Sequence, residues 1–152
     1  MSVMTESNVV TREVEIAAKP ETIWNLLVDP KQVVRWMGQV ANFDARPGGE
    51  YRLDVVPGHM AVGKFLEVDR PRKLVYTFGW EGSPVEPGST TVTFELVPRG
   101  NATLLRFRHE LPNVDAAKSH AEGWDHYFER LAIAAKGGNP GIDPWIAEKG
   151  SK

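Results

Sequence analysis

The sequence predicts an α+β domain in which a curved antiparallel β-sheet wraps a long C-terminal helix, with two short helices after the first strand. Three observations predict it. Segments with bulky apolar residues at alternate positions recur between about residues 40 and 111. One apolar stripe at helical spacing runs through residues 114–136. Two proline-led helical segments separate the first strand from the rest. A sheet with one apolar and one polar face is covered on one side and wet on the other, and the long helix is the element available to cover it.

The elements follow in order. Residues 1–8 are polar and expected to be disordered. In Val9–Ile16, Val10, Val14 and Ile16 share one period-2 face and Glu13 and Glu15 the other, which reads as a strand. Arg12 lies on the apolar face, where it meets a carboxylate or sits at a frayed strand start. Lys19-Pro20-Glu21 opens a helix, because proline suits the first helical position and glutamate the positive end of the helix dipole. Ile23, Trp24, Leu26 and Leu27 give it an apolar side. Asp29-Pro30 repeats the start signal, with Asp29 as N-cap of a second short helix carrying Val33, Val34 and Met37.

The β region is punctuated by turn signals at Pro47-Gly48-Gly49, Pro57-Gly58, Pro71-Arg72-Lys73 and Pro98-Arg99-Gly100-Asn101, with a long loop over Glu81–Ser89. Tyr51, Leu53 and Val55 alternate with Glu50, Arg52 and Asp54. Leu74, Tyr76, Phe78 and Trp80 form a second inward face. Val92, Phe94 and Leu96 form a third, and Leu105, Phe107 and His109 a fourth. Gly63 leaves the facing of residues 60–68 open, since glycine inside a strand marks a bulge. Asn113 caps the last helix, along which Ala117, Ala121, Trp124, Phe128, Leu131 and Ala135 recur at spacings of three and four. Gly137-Gly138 ends it. This order defines a domain over residues 9–137 and a tail over 138–152, whose Trp145 packs back on the body or meets a partner.

Bulk properties exclude several functions. The chain has 152 residues, 41% of them apolar and 25% charged, which fits one globular domain. Its net charge is −2 and it has no basic stripe, so a nucleic-acid role lacks electrostatic footing. It has no cysteine, which excludes disulfides, thiolate catalysis and cysteine zinc sites. No apolar run approaches the ~20 residues a membrane span needs, and Met1–Glu6 does not read as a secretory signal. A cytoplasmic protein is expected.

Catalytic signatures are sparse. There is no Gly-x-Ser-x-Gly elbow. Gly48-Gly49 is not a phosphate loop, because no Lys-Ser or Lys-Thr follows. His120 and His126 are six residues apart, outside the i, i+4 spacing of a zinc helix, and His59 sits at a turn. No metal and no cofactor is expected. Solvated pairing is expected of the charged faces Glu50/Arg52/Asp54 and Arg106/Arg108. His109 is the residue of interest. It lies on an apolar face where Trp124 is within reach, and reads either as a proton shuttle or as a satisfied core histidine, the commoner role.

Several fragments resemble one family. They are Pro20-Glu21-Thr22-Ile23-Trp24, Trp36, Asp44-Ala45-Arg46-Pro47-Gly48-Gly49-Glu50-Tyr51, Gly63–Pro71, His109, and Gly123-Trp124 with Phe128 and Leu131. Spread over roughly residues 9–136, they resemble the START-like (SRPBCC) superfamily, in the branch named after the C-terminal domain of the activator of the heat-shock-protein-90 ATPase. The branch's "D-x-R-x-G-G" turn, "G-x-x-x-E-V-x-x-P" strand and "G-W-x-x-x-L-x-x-L" helix are all approximated. One departure is Met37-Gly38, where the branch often has an aromatic and a proline.

The resemblance implies a helix-grip fold and a ligand cavity between sheet and helix. The residues point the same way: a curved sheet cannot meet a straight helix along its whole length, and rigid aromatics wall a pocket. The candidate lining residues are Trp36, Tyr51, Leu53, Tyr76, Phe78, Trp80, Phe94, Phe107, His109, Gly123, Trp124 and Tyr127. The expected function is binding of a small hydrophobic or aromatic molecule by a monomer or homodimer. The alternatives are a cyclase- or hydrolase-like enzyme using His109 as acid or base, and, by the resemblance alone, a chaperone-interacting domain.

Overall fold

The structure, a computed structural model, describes residues 8–146. The disorder expected of residues 1–8 therefore lies, Asn8 aside, outside the described residues, as does the end of the tail.

Strand β1 (Val9–Ile16) is followed by helices α1 (Pro20–Val28) and α2 (Pro30–Val33). Six strands come next: β2 (Val40–Phe43), β3 (Glu50–Val56), β4 (His59–Asp69), β5 (Lys73–Phe78), β6 (Thr90–Arg99) and β7 (Ala102–Glu110). Helix α3 (Val114–Ala135) ends the order. All seven strands form one sheet in the order β1-β7-β6-β5-β4-β3-β2, every pairing antiparallel. The expected meander is present, with β1 added outside β7.

Local chemistry sets the helix ends. The Asp29 side chain accepts from the Lys31 amide at 3.0 Å and Asn113 from the Ala116 amide at 2.8 Å, so each occupies donors that a helix start leaves open. At the far end of α3, Gly137 takes φ +88°, and the N–H groups of Gly137 and Gly138 return to the carbonyls of Ala134 and Ile133. A residue with a Cβ adopts that conformation only at a cost.

Two irregularities curve the sheet. The β3–β4 register shifts between Asp54 and Val56, and the β4–β5 register between Phe65 and Glu67. A bulge bends its strand and re-aims the residues beside it. The bulge in β4 thus sits at Leu66, whose side chain is turned outward, and not at Gly63. Gly63 is glycine for a different reason: a Cβ there would lie 1.8 Å from the Thr77 carbonyl oxygen. Before the bulge, Ala61, Gly63 and Phe65 face inward, which settles the facing of that strand. Gly38, in the Met37-Gly38 departure, has φ +79°, and a Cβ on it would strike Leu53 and the Asp54 carbonyl.

The core is continuous between sheet and α3 and extends under α1 and α2. The inward faces of β3, β5, β6 and β7 are buried as their alternation predicts. Along α3, Ala117, Trp124, Phe128, Leu131 and Ala135 are buried, while Ala121 is half-buried. Arg12 holds β1 to the helix, with Nε and Nη2 donating to the two carboxylate oxygens of Asp125 at 2.7 and 3.1 Å. On the outer face the expected pairing is partly cross-strand: Arg106 meets Glu13 of β1, whereas Arg52 reaches Glu81 in the β5–β6 loop. Among the described residues, no helix is long and apolar enough to cross a membrane.

Candidate functional site

The sheet and α3 close tightly along one part of their length and separate along another, leaving a cavity of about 760 Å³. Each side of the gap supplies part of the wall. Phe78 ends β5, and Trp80 follows it, joined to Ala61 by a single bridge. Val55 and Val56 stand at the β3 bulge, so the same irregularity that bends the sheet turns both valines to the cavity. Met37 closes the end near α2. Helix α3 contributes Ser119, His120, Gly123, Trp124 and Tyr127, and Trp145 comes from the tail. Gly123 matters because a Cβ built on it would meet nothing within 4 Å.

Two tryptophan–histidine pairs brace this wall. The Trp124 indole N–H donates to His109 Nδ1 at 3.0 Å. Indole only donates, so Nδ1 is the bare nitrogen and Nε2 carries the proton. That proton goes to the Thr90 hydroxyl oxygen at 2.9 Å, and the hydroxyl donates on to the Phe78 carbonyl at 2.6 Å. His109 is fully buried, and both its ring nitrogens are spent inside the protein. Burial, and secondarily the neighbouring His120, lowers its pKa to about 3. The second pair has the opposite tautomer: Trp80 N–H donates to His120 Nε2 at 2.9 Å, and His120 Nδ1–H donates to the Ala116 carbonyl at 2.7 Å. Burial lowers this pKa too, against the opposing pull of the Ala116 carbonyl. Both imidazoles therefore stand neutral and fixed in rotation, and each locks one indole of the wall.

The candidate lining residues divide sharply. Phe78, Trp80, Gly123, Trp124 and Tyr127 line the cavity. Trp36, Tyr51, Leu53, Tyr76, Phe94, Phe107 and His109 are buried away from it. Trp36 donates its indole N–H to the Leu26 carbonyl at 2.7 Å. Tyr51 and Tyr76 stack at 4.2 Å, and burial raises both hydroxyl pKa values, so they form packed core and not a polar cavity wall. Phe94 and Phe107 pack against Trp124 and Phe128. His109 acts on the cavity through Trp124.

His120 was missing from the candidates, although it shares a helix face with Gly123, Trp124 and Tyr127 at i, i+3, i+4 and i+7. Met37, His59 and Trp145 were missing as well. His59 is exposed at the start of β4, beside Trp80. A second depression, of about 570 Å³, lies between Arg35, Arg130 and the Gly137–Asp143 turn. Arg130 is spent there on the carbonyls of Trp36, Pro140 and Gly141.

The geometry defines a class first: a helix-grip domain, with a concave sheet holding one long helix and a mostly apolar cavity between them. The chain belongs to the family described as "Activator of Hsp90 ATPase homolog 1-like protein", which it matches over residues 17–136. Among solved structures it is similar to an AHSA1-like protein from Rhizobium etli, with 41% identity, a TM-score of 0.73, and 93% of this chain and 92% of that one covered. It is also similar to CalU16 from Micromonospora echinospora, with 25% identity, a TM-score of 0.70, and coverage of 82% and 74%. An HSP90 activator from Plasmodium falciparum shares the fold at 23% identity and a TM-score of 0.73, with coverage of 83% and 94%. No curated protein matches the chain.

Proposed function

We propose that the protein binds a small hydrophobic molecule with aromatic faces in the cavity between sheet and α3. The observation that carries this reading is the open volume at Gly123, about 760 Å³, walled by Phe78, Trp80, Trp124 and Tyr127. That volume lies in the range of roughly 300–1,000 Å³ usual for ligand pockets. The histidine braces add a second reason. They hold two indoles at the wall by hydrogen bonds, so the rings cannot swing inward to fill the space. Polar demands on the guest are few, because the indoles and His120 already have partners within the protein.

A proton-shuttling role for His109 lacks support, since neither ring nitrogen is free to meet a guest. Binding without turnover is the reading we adopt.

A thermal-shift and native mass-spectrometry screen with fatty acids, polyketides and polycyclic aromatics tests it. At least one aromatic is expected to bind as a single equivalent. Gly123→Leu is then expected to abolish that binding while the unliganded protein gains stability. Glycine inside a helix costs about 1 kcal/mol relative to good helix formers, and the added side chain has room. Binding that survives Gly123→Leu, or an aromatic panel without a binder, would sink the proposal.

A further inference from the structure

The tail beyond α3 lies outside the stretch matched by the family, yet it supplies part of the cavity wall through Trp145. We propose that residues 142–146 form a gate that completes the cavity with Trp145, is latched to α3 by Asp143, and swings aside for a guest to enter. This rests on the reading of the cavity as a guest site.

The way the segment is held supports the gate. Arg130 pins its root to α3 by donating to the Gly141 carbonyl at 2.9 Å. Gly141 follows with φ +78°, a permissive joint. Beyond it, Ile142 is 83% exposed, and the apolar hold comes down to the Trp145 ring, 38% exposed and packed on His126 and Tyr127, with Ile146 half-buried. The polar hold falls on one carboxylate. Asp143 is 3% exposed, and its Oδ1 accepts both from His126 Nε2 at 2.9 Å and from the Trp145 amide at 3.0 Å. These bonds bring the Trp145 ring flat onto His126 at 3.8 Å.

The latch is also incomplete. Asp143 Oδ2 and the Tyr127 hydroxyl are buried together as acceptor and donor without a fully formed hydrogen bond, and the Tyr127 pKa is raised by burial, then by the Asp143 charge and its side-chain contact. A buried hydrogen bond short of full geometry stabilises the closed state less than a complete one. Segments held by few apolar contacts open at small free-energy cost. The gate is therefore the tail side of the cavity wall, able to swing without disturbing the core.

The test compares wild type with Asp143→Ala and Asp143→Asn, using backbone amide hydrogen exchange and stopped-flow binding of the neutral aromatic dye N-phenyl-1-naphthylamine. In Asp143→Ala the Trp145 amide is expected to exchange about tenfold faster while α3 core amides are unchanged. Dye association and dissociation are both expected to rise about fivefold with little change in affinity. Asparagine keeps the Oδ1 acceptor and places a donor beside the Tyr127 hydroxyl, so Asp143→Asn is expected to stay within about twofold of wild type. Unchanged Trp145 exchange in Asp143→Ala overturns the latch. Faster exchange with unchanged dye rates overturns the gate alone. A wild type that takes up no dye overturns the cavity reading, and the gate with it.

Discussion

The two ends of the space between sheet and helix use similar residues to opposite effect. Around the second half of α3, Phe128 packs onto Phe94 and Phe107, Leu131 and Leu105 are buried in the same core, and the gap is filled. Phe107 and Phe128 meet edge to face at 4.9 Å, and Leu131 is fully buried. One turn earlier lies Gly123, and the gap stays open. The difference is not a shortage of aromatic rings, since Phe78, Trp80 and Trp124 all stand at the open end. Rings without polar atoms are free to interdigitate until the space closes. Rings whose N–H is bonded to a fixed histidine keep one orientation. The cavity is thus a product of hydrogen bonding as much as of a missing side chain.

Three perturbations sharpen this contrast, beginning with the largest. Phe107→Ala, at the closed end, is expected to cost about 3–5 kcal/mol, because it removes a large buried ring from a site with no slack. Urea unfolding measures it, and a loss under 1 kcal/mol, on the order of a surface change, would mean that the filled end is no tighter than the open one.

The brace at the open end makes a pH prediction. The folded-state pKa of His109, about 3, lies below its ordinary 6.5, so between these values the unfolded chain binds more protons. Stability is therefore fully present above pH 6.5 and falls as pH drops toward 3. The expected slope from this one group is about 1.4 kcal/mol per pH unit. His109→Gln cannot titrate, and the difference in slope between it and wild type isolates the effect. Equal slopes in the two proteins between pH 4 and 6, inside the window set by these two pKa values, would refute the buried neutral imidazole.

The smallest effect is expected at the surface. The Arg12–Asp125 pair is bidentate, but its side chains are 35% and 57% exposed. Arg12→Ala is expected to cost about 1 kcal/mol or less, with the loss shrinking in high salt. A larger, salt-independent loss would show that the strand depends on this pair for its seat against α3.

Much of the fold was legible in the chain. The faces of β1, β3, β5, β6 and β7 follow directly from alternation, because period-2 burial leaves a period-2 pattern. The starts of α2 and α3 follow from Asp29-Pro30 and Asn113, because open helix donors select those side chains. The site was less legible. Alternation tells which face Tyr51, Tyr76, Phe94 and Phe107 share, but not which part of that face another element covers. The bulges at Val55 and Leu66 left no clear mark, since the residues there are ordinary strand formers. The docking of Asp143 and Trp145 left none at all, because a contact between a tail and a helix face has no period.

By itself the sequence determined the element order, the inward faces and the stripe that seats α3 on the sheet, since these depend on neighbours a few residues apart. Only the tertiary structure decided where the grip stays open, which nitrogen of each histidine carries the proton, and how the tail completes the wall. Those outcomes depend on distances between residues far apart in the chain, set only once the sheet has bent and the helix has come to rest against it.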